Sequence, residues 1–298
     1  LKGSEQPNDY SLRVTENFDL FTRWIADCNG DLAAICKGLA KLIVVDVSLD
    51  RDQDNPQLIF ESMNSTGLEL SQADLIRNYV LMGLEPDLQT RLYEFYWRPM
   101  EVAFGQTAYA TQFDKFMRHY LTVKMGEIPN QREVYETFKQ YAAPFGQDIE
   151  SLVKDIRIFA DHYCAIALGR EKDKELRLVF QDIRELKVDT CYPLLLELYH
   201  DYHDEENQLI TKDELLQAAR WIESYVFRRA VCDIATNSLN KTFANFRKNL
   251  IKDRYLESIQ ATFLLLPSYR RFPSDEEFKQ DIQKKDIYGL RSKMYFFR

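Results

Sequence analysis

The four residues Asn64-Ser65-Thr66-Gly67 bring amide and hydroxyl side chains together and end on a glycine. Gly67 can take a positive φ, which lets a preceding helix stop and the chain turn. Ser71 follows, with Asp74 three residues on, the spacing of a capping box that opens a new helix. Backbone and side-chain donors just ahead of a helix start suit an anion such as a phosphate. On that helix Asp74 precedes Arg77 and Asn78 by three and four residues, so these side chains share one face. Asn64, Ser65, Thr66, Gly67, Asp74, Arg77 and Asn78 therefore form a candidate phosphate-binding set. The same residue types also serve a plainer purpose, capping one helix and turning the chain into the next. Both readings stand at this point.

A second constellation is basic. Arg228 and Arg229 follow the aromatic run Trp221-Ile222-Glu223-Ser224-Tyr225-Val226-Phe227, and Asn237, Lys241, Arg247 and Lys248 come after them. Helical spacing puts at least one of the two arginines on the buried side, where it needs a carboxylate or carbonyl partner. From Arg220 onward there are 16 Lys and Arg against 9 Asp and Glu, a balance of +7 in a chain whose net charge is −8. A basic end on an acidic chain fits a polyanion. Arg228, Arg229, Asn237, Lys241, Arg247 and Lys248 are therefore candidate DNA-facing residues, with Lys252 and Arg254 beside them. The competing reading is an internal arginine–acid pair plus ordinary surface lysines.

Other chemistry is thinly supported. His200 and His203 lie three apart at a helix end beside Asp201, Asp204 and Glu205, but no third ligand has a natural spacing, and no metal site is assigned. His119 and His162 stand alone in amphipathic stretches and read as core or boundary histidines. None of the signatures for a serine nucleophile elbow, a zinc-protease helix, a phosphate loop or a dinucleotide fold occurs, and no catalytic residue is assigned.

The elements that would position these residues are helices. With 10 Gly and 9 Pro in 298 residues the chain is too poor in turn residues for a sandwich or barrel. Apolar positions recur at helical spacing over 15–28, 31–42, 86–103, 110–125, 148–168, 173–186, 191–204, 238–250 and 254–265, and a further helix is expected over 55–63. Capping boxes mark starts at Ser71, Asn130, Thr211 and Ser274. Residues 42–49, Leu-Ile-Val-Val-Asp-Val-Ser-Leu, are short and β-branched and predict one buried strand. The five cysteines are odd in number and form no CxxC pair, which points to free thiols in a reducing, cytoplasmic setting. No apolar run reaches the length of a membrane helix, so no membrane partner is expected. The opening Leu1-Lys2-Gly3 reads as part of a longer protein.

The stretch IFESMNSTGLELSQADLIRNYVL resembles the hallmark of a large prokaryotic family of domains of unknown function, found in GmrSD-type, modification-dependent restriction enzymes. Phe60, Asn64, Gly67, Leu70, Asp74, Leu75, Ile76 and Asn78 follow its pattern, with Met63 in place of the usual Leu. Further likeness runs through YWRPME, FDKFMRHYLTVKMGEIP, SYVFRRAVCDIATNSLNKTFANF and FPSDEEF. The resemblance implies a ParB-like α/β domain with an Asp-Gly-Gln-Gln-Arg motif upstream and a His-Me-finger nuclease with a Glu-His-Ile-x-Pro-Gln motif downstream; neither string occurs here. It implies a mainly α, multi-helical chain with a short β element left from the ParB-like domain. Residues 1–104 would be the end of that domain and 105–298 a helical domain preceding the nuclease. The parent would be a nucleotide-dependent restriction endonuclease using an NTP and a divalent metal, and this chain a non-catalytic region without a cofactor of its own. It would position DNA or couple nucleotide use to cleavage. A structural or oligomerisation module binding a partner subunit or a second copy is the alternative, and an enzyme using Asp74, Arg77 and Asn64 directly is a third.

Overall fold

The structure, a computed structural model, describes residues 11–27, 31–44, 46, 70–146, 148–207 and 209–297. The chain divides into two compact units, Leu1–Phe60 and Glu61–Arg298.

In the first unit, α1 spans Leu12–Asp27 and α2 spans Leu32–Leu39. Asp31 caps α2, its carboxylate accepting the Ala34 N–H at 3.0 Å. The strand expected over 42–49 is not found among the described residues. Leu42, Ile43 and Val44 have no strand conformation, and Ile43 and Val44 are 90% and 87% exposed. An isolated apolar run has no ladder to join unless another strand offers its N–H and C=O groups, and no described residue is in a strand. Val45, residues 47–49, the helix expected over 55–63 and the Asn64–Gly67 turn lie outside the described residues.

In the second unit, α3 spans Gln72–Leu81, α4 Pro86–Leu92, α5 Arg98–Phe104 and α6 Gln106–Met125. The expected single helix over 86–103 is continuous but passes through a wide π turn at Tyr93–Trp97. Pro99 explains it: the ring lacks an N–H and crowds the carbonyl four residues back, and a wide turn relieves the clash. α7 spans Val134–Ala142, α8 Ile149–Ala167, α9 Lys174–Glu185, α10 Tyr192–Tyr202 and α11 Lys212–Val231. α12 (Leu239–Phe246), α13 (Tyr255–Leu264), α14 (Asp275–Ile282) and the short α15 (Lys293–Phe296) complete the unit.

One hydrophobic core serves the whole of this unit, running from Ala73 in α3 to Phe263 in α13. Its centre is aromatic: Phe104, Phe113 and Phe116 pack 5.2–5.8 Å apart, and Tyr163 stacks on Phe104 at 5.8 Å. α10 is apolar nearly all round and is accordingly buried along most of its length. Helices 70–104 share this core with the helices that follow.

Three of the four expected caps form. Ser71 accepts the Asp74 N–H at 3.1 Å, Thr211 and Glu214 close a full capping box, and Ser274 accepts the Glu277 N–H at 3.2 Å. The exception is Asn130. α7 starts four residues later, at Val134, because the Asn130 side chain instead accepts the Arg132 N–H in a local turn.

A candidate anion cleft and a basic strip

The start of α3 carries the part of the first motif that is described. Its first three amides are all taken by protein acceptors. Asp114, on α6, accepts the Ala73 N–H at 2.7 Å and also the Gln72 N–H, and Ser71 accepts that of Asp74. Burial raises the Asp114 carboxyl in spite of these bonds. The first amides of α3 are thus spent on acceptors of the protein itself, while the Asn64–Gly67 part of the candidate phosphate-binding set lies outside the described residues. Asp74 accepts the Ser71 hydroxyl at 2.8 Å, and Arg77 lies 3.7 Å from Asp74 and 3.4 Å from Glu101 of α5. Arg77 thus joins two helices. Asn78 is half-buried on the same helix.

Beside this helix start opens a cleft of ≈ 1330 Å³, walled by α3, α6, the 126–133 connection and α7. Lys115, Arg118 and Arg132 line it, together with His119, Asp114 and Asp189. Arg118 donates its Nε–H to the Pro129 carbonyl at 2.8 Å, which fixes the guanidinium at the cleft wall. None of the three cations makes an ion pair with a described residue, whereas Glu136, also in the wall, is paired with Lys139 at 3.0 Å. His119 is buried, and desolvation pushes it down to about 4, with Asp189 opposing and Arg118 and Lys115 reinforcing the shift. It is neutral at pH 7. Sequence reasoning missed this cleft, since its walls come from segments up to about 120 residues apart; Lys115-x-x-Arg118 on one helix face was the available signal.

The basic constellation splits. Arg229 is completely buried, donates to the carbonyls of Ala235 (2.5 Å) and Tyr269 (3.4 Å) and to Ser238 Oγ (3.1 Å), and lies over the Tyr225 ring. Arg228 binds Asp275 at 2.5 Å and the Pro273 carbonyl at 3.2 Å, against Phe272 and Phe278. Arg247 donates to the Val123 carbonyl and lies 3.5 Å from Glu197, a buried acid whose carboxyl burial raises. These three arginines hold the last helices to the rest of the fold: Arg229 is buried and Arg228 half-buried, while Arg247 stays exposed as it makes these contacts. Lys252 is likewise held by Asp201 at 2.8 Å, and Arg254 by Glu257. Asn237, Lys241 and Lys248 are exposed. With Asn245, which was not foreseen, they recur every three or four residues and make a row of exposed groups over α12 and the short 3-10 turns that flank it.

His200 and His203 do gain a third partner, from a different helix. His162 Nε2 of α8 is 3.4 Å from His200 Nδ1, and its ring stacks on His203 at 5.5 Å. Burial pushes His162 down to about 3 and lowers His200 and His203 too, so the cluster is a neutral packing group at pH 7. Among the described residues, the one group of ligand atoms close enough to share a metal ion is Cys232, Glu277 and Asp281. Arg271 is already bonded to both oxygens of that Glu277, which supplies a cation there. Burial pushes the Cys164 thiol up to about 12 and raises Cys191 further, so both are neutral core groups, as their apolar contexts predict. No helix among the described residues is long and apolar enough to cross a membrane.

No curated protein and no solved structure matches the chain. Residues 3–81 match the family described as the GmrSD restriction endonuclease N-terminal domain, a segment containing α1, α2 and α3. Over that segment the chain is similar to the N-terminal domain of GmrSD-type restriction enzymes.

Proposed function

We propose that this chain is a non-catalytic, helical region of a GmrSD-like DNA restriction or phage-defence protein, which positions DNA or couples nucleotide use to cleavage. The family relationship of residues 3–81 carries this reading. The strip Asn237, Lys241, Asn245 and Lys248 supports its DNA-positioning form: amide and ammonium groups in a row donate to successive phosphates without reading bases. The +7 balance from Arg220 onward adds a favourable field, and Lys241 of α12 and Lys248 in the turn after it are exposed and make no ion pair among the described residues.

Fluorescence anisotropy with a labelled DNA duplex at a series of salt concentrations tests it. Binding should weaken as salt rises, and Lys241→Ala with Lys248→Ala should reduce the log–log slope by about 2, one counterion released per lost contact. Absence of duplex binding at low salt would discard DNA positioning. The alternative, a module that binds a partner subunit or a second copy, is favoured by the apolar face of α1. Phe18, Phe21, Trp24 and Ile25 recur at helical spacing and are all at least 40% exposed. In that case light scattering would show a mass that grows with protein concentration and is insensitive to salt.

A further inference from the structure

We propose that the groove between α12 and α13 is a docking site for an acidic amphipathic helix of a partner protein. The proposal goes beyond the functional reading above and rests on neither the family relationship nor the exposed face of α1.

The groove measures ≈ 520 Å³ and is walled by the end of α12, the 248–251 connection, α13 and the turn after it. Its lining is apolar in effect. Phe246, Leu250 and Leu266 contribute side chains to it. The three hydroxyls beside them, Thr242, Ser258 and Thr262, each donate to a backbone carbonyl three or four residues back at 2.8–2.9 Å, so their hydrogens are spent before a ligand arrives. Ile251 and Leu265 also line the groove and are 57% and 82% exposed. Large apolar side chains left open around an apolar concavity mark a surface that another protein covers.

Charge decides the kind of partner. Lys248 and Arg270 line the groove, and no lining residue is an acid. Neither cation has an ion pair among the described residues, and the Arg270 Nε–H is buried without an acceptor. A buried donor left unpaired is costly, and a carboxylate supplies the missing acceptor with a charge-assisted bond. Asn245 and Asn249, both exposed, add amide donors. The complement is a surface that carries large apolar and carboxylate side chains together. An amphipathic helix presents both: apolar anchors at every third or fourth position enter the groove, and acids beside them reach Lys248 and Arg270. A nucleic-acid backbone has the charge but nothing apolar to lay over Ile251 and Leu265.

Fluorescence anisotropy of the whole chain with a labelled synthetic helix tests the proposal. In the probe, leucines recur every three or four residues and glutamates stand beside them; a counterpart carries lysine at each glutamate position. Saturable binding of the glutamate peptide is expected, with the lysine peptide weaker by about tenfold or more. Ala261 lines the groove and is exposed, so Ala261→Trp should keep the wild-type melting temperature while its indole occupies the site. That variant should lose the peptide. Arg270→Gln should weaken the glutamate peptide by about fivefold and bring the two peptides closer in affinity. Asn245 and Lys248 also belong to the strip proposed for DNA, whereas Ala261 and Arg270 do not, so duplex binding should survive Ala261→Trp. Absence of duplex binding by the wild type would discard DNA positioning and leave the groove standing. Equal affinity for the two peptides, no saturable binding up to millimolar concentration, peptide binding that survives Ala261→Trp, or duplex binding lost in that variant would each overturn the proposal.

Discussion

Four histidines lie within or against the core of the second unit, and all four have their charged form disfavoured by burial. His119 is pushed to about 4 and His162 to about 3, from an ordinary 6.5. The folded state therefore binds fewer protons than the unfolded chain below pH 6.5, and stability falls as pH falls through that window. Asp114, Asp161 and Glu197 act in the opposite sense, since burial raises their carboxyls and the folded state holds their protons longer. Those acids titrate from lower values, so the histidines set the slope nearest neutrality. The melting temperature should decline between pH 6.5 and 5, and His162→Gln, which removes one such site, should make that decline shallower. Histidine ring resonances that titrate near 6.5 in the folded protein would refute the burial argument.

At the scale of elements, the start of α3 shows how local and distant information divide. Its Ser71 cap was legible because a hydroxyl and the amide three residues on belong to one short stretch. The cap by Asp114 was not, because acid and amide are separated by 41 residues. Asp114→Ala should cost about 1–3 kcal/mol in urea unfolding, the penalty of stranding buried amides, whereas Asp114→Asn keeps an acceptor and should cost less. Thr211→Ala, which opens the capping box of α11, should cost about 1 kcal/mol. Equal costs for Asp114→Ala and Asp114→Asn would show that the carboxylate is not seated on the helix start. The same division explains the other surprises. Asn130 had two local options and took the turn; Arg229 was foreseen as needing a buried partner, but that the partners would be carbonyls of Ala235 and Tyr269 depended on how the chain returned. The third histidine comes from 38 residues away. A β-branched run predicts a strand only on the assumption that another strand is there to pair with it, and Ile43 and Val44 stand exposed instead.

For the whole molecule, the family match and the packing divide the chain at different places. The match ends at residue 81, after α3, whereas the compact units divide between Phe60 and Glu61. α3 thus belongs by sequence to the matched domain and by packing to the helical body. Ala73, Ile76, Val80 and Leu81 are buried in the common core, Tyr79 packs edge-on against Phe138 at 5.7 Å, and the Gln72 side chain accepts the Tyr135 N–H at 2.8 Å. Two truncations separate these boundaries. A chain of residues 61–298 keeps every core residue found among the described positions and should melt cooperatively, with a helical circular dichroism spectrum. A chain of residues 82–298 loses the burial of Ile76, Val80 and Leu81, worth about 5–9 kcal/mol. It also strands Asp114 and the Tyr135 amide. That loss is comparable with the entire stability of an ordinary domain, so this shorter chain should bind a hydrophobic dye and lose its sharp melting transition. If residues 82–298 melted as cooperatively as residues 61–298, α3 would be an appendage of the first unit, and the cleft it borders would have to be built without it.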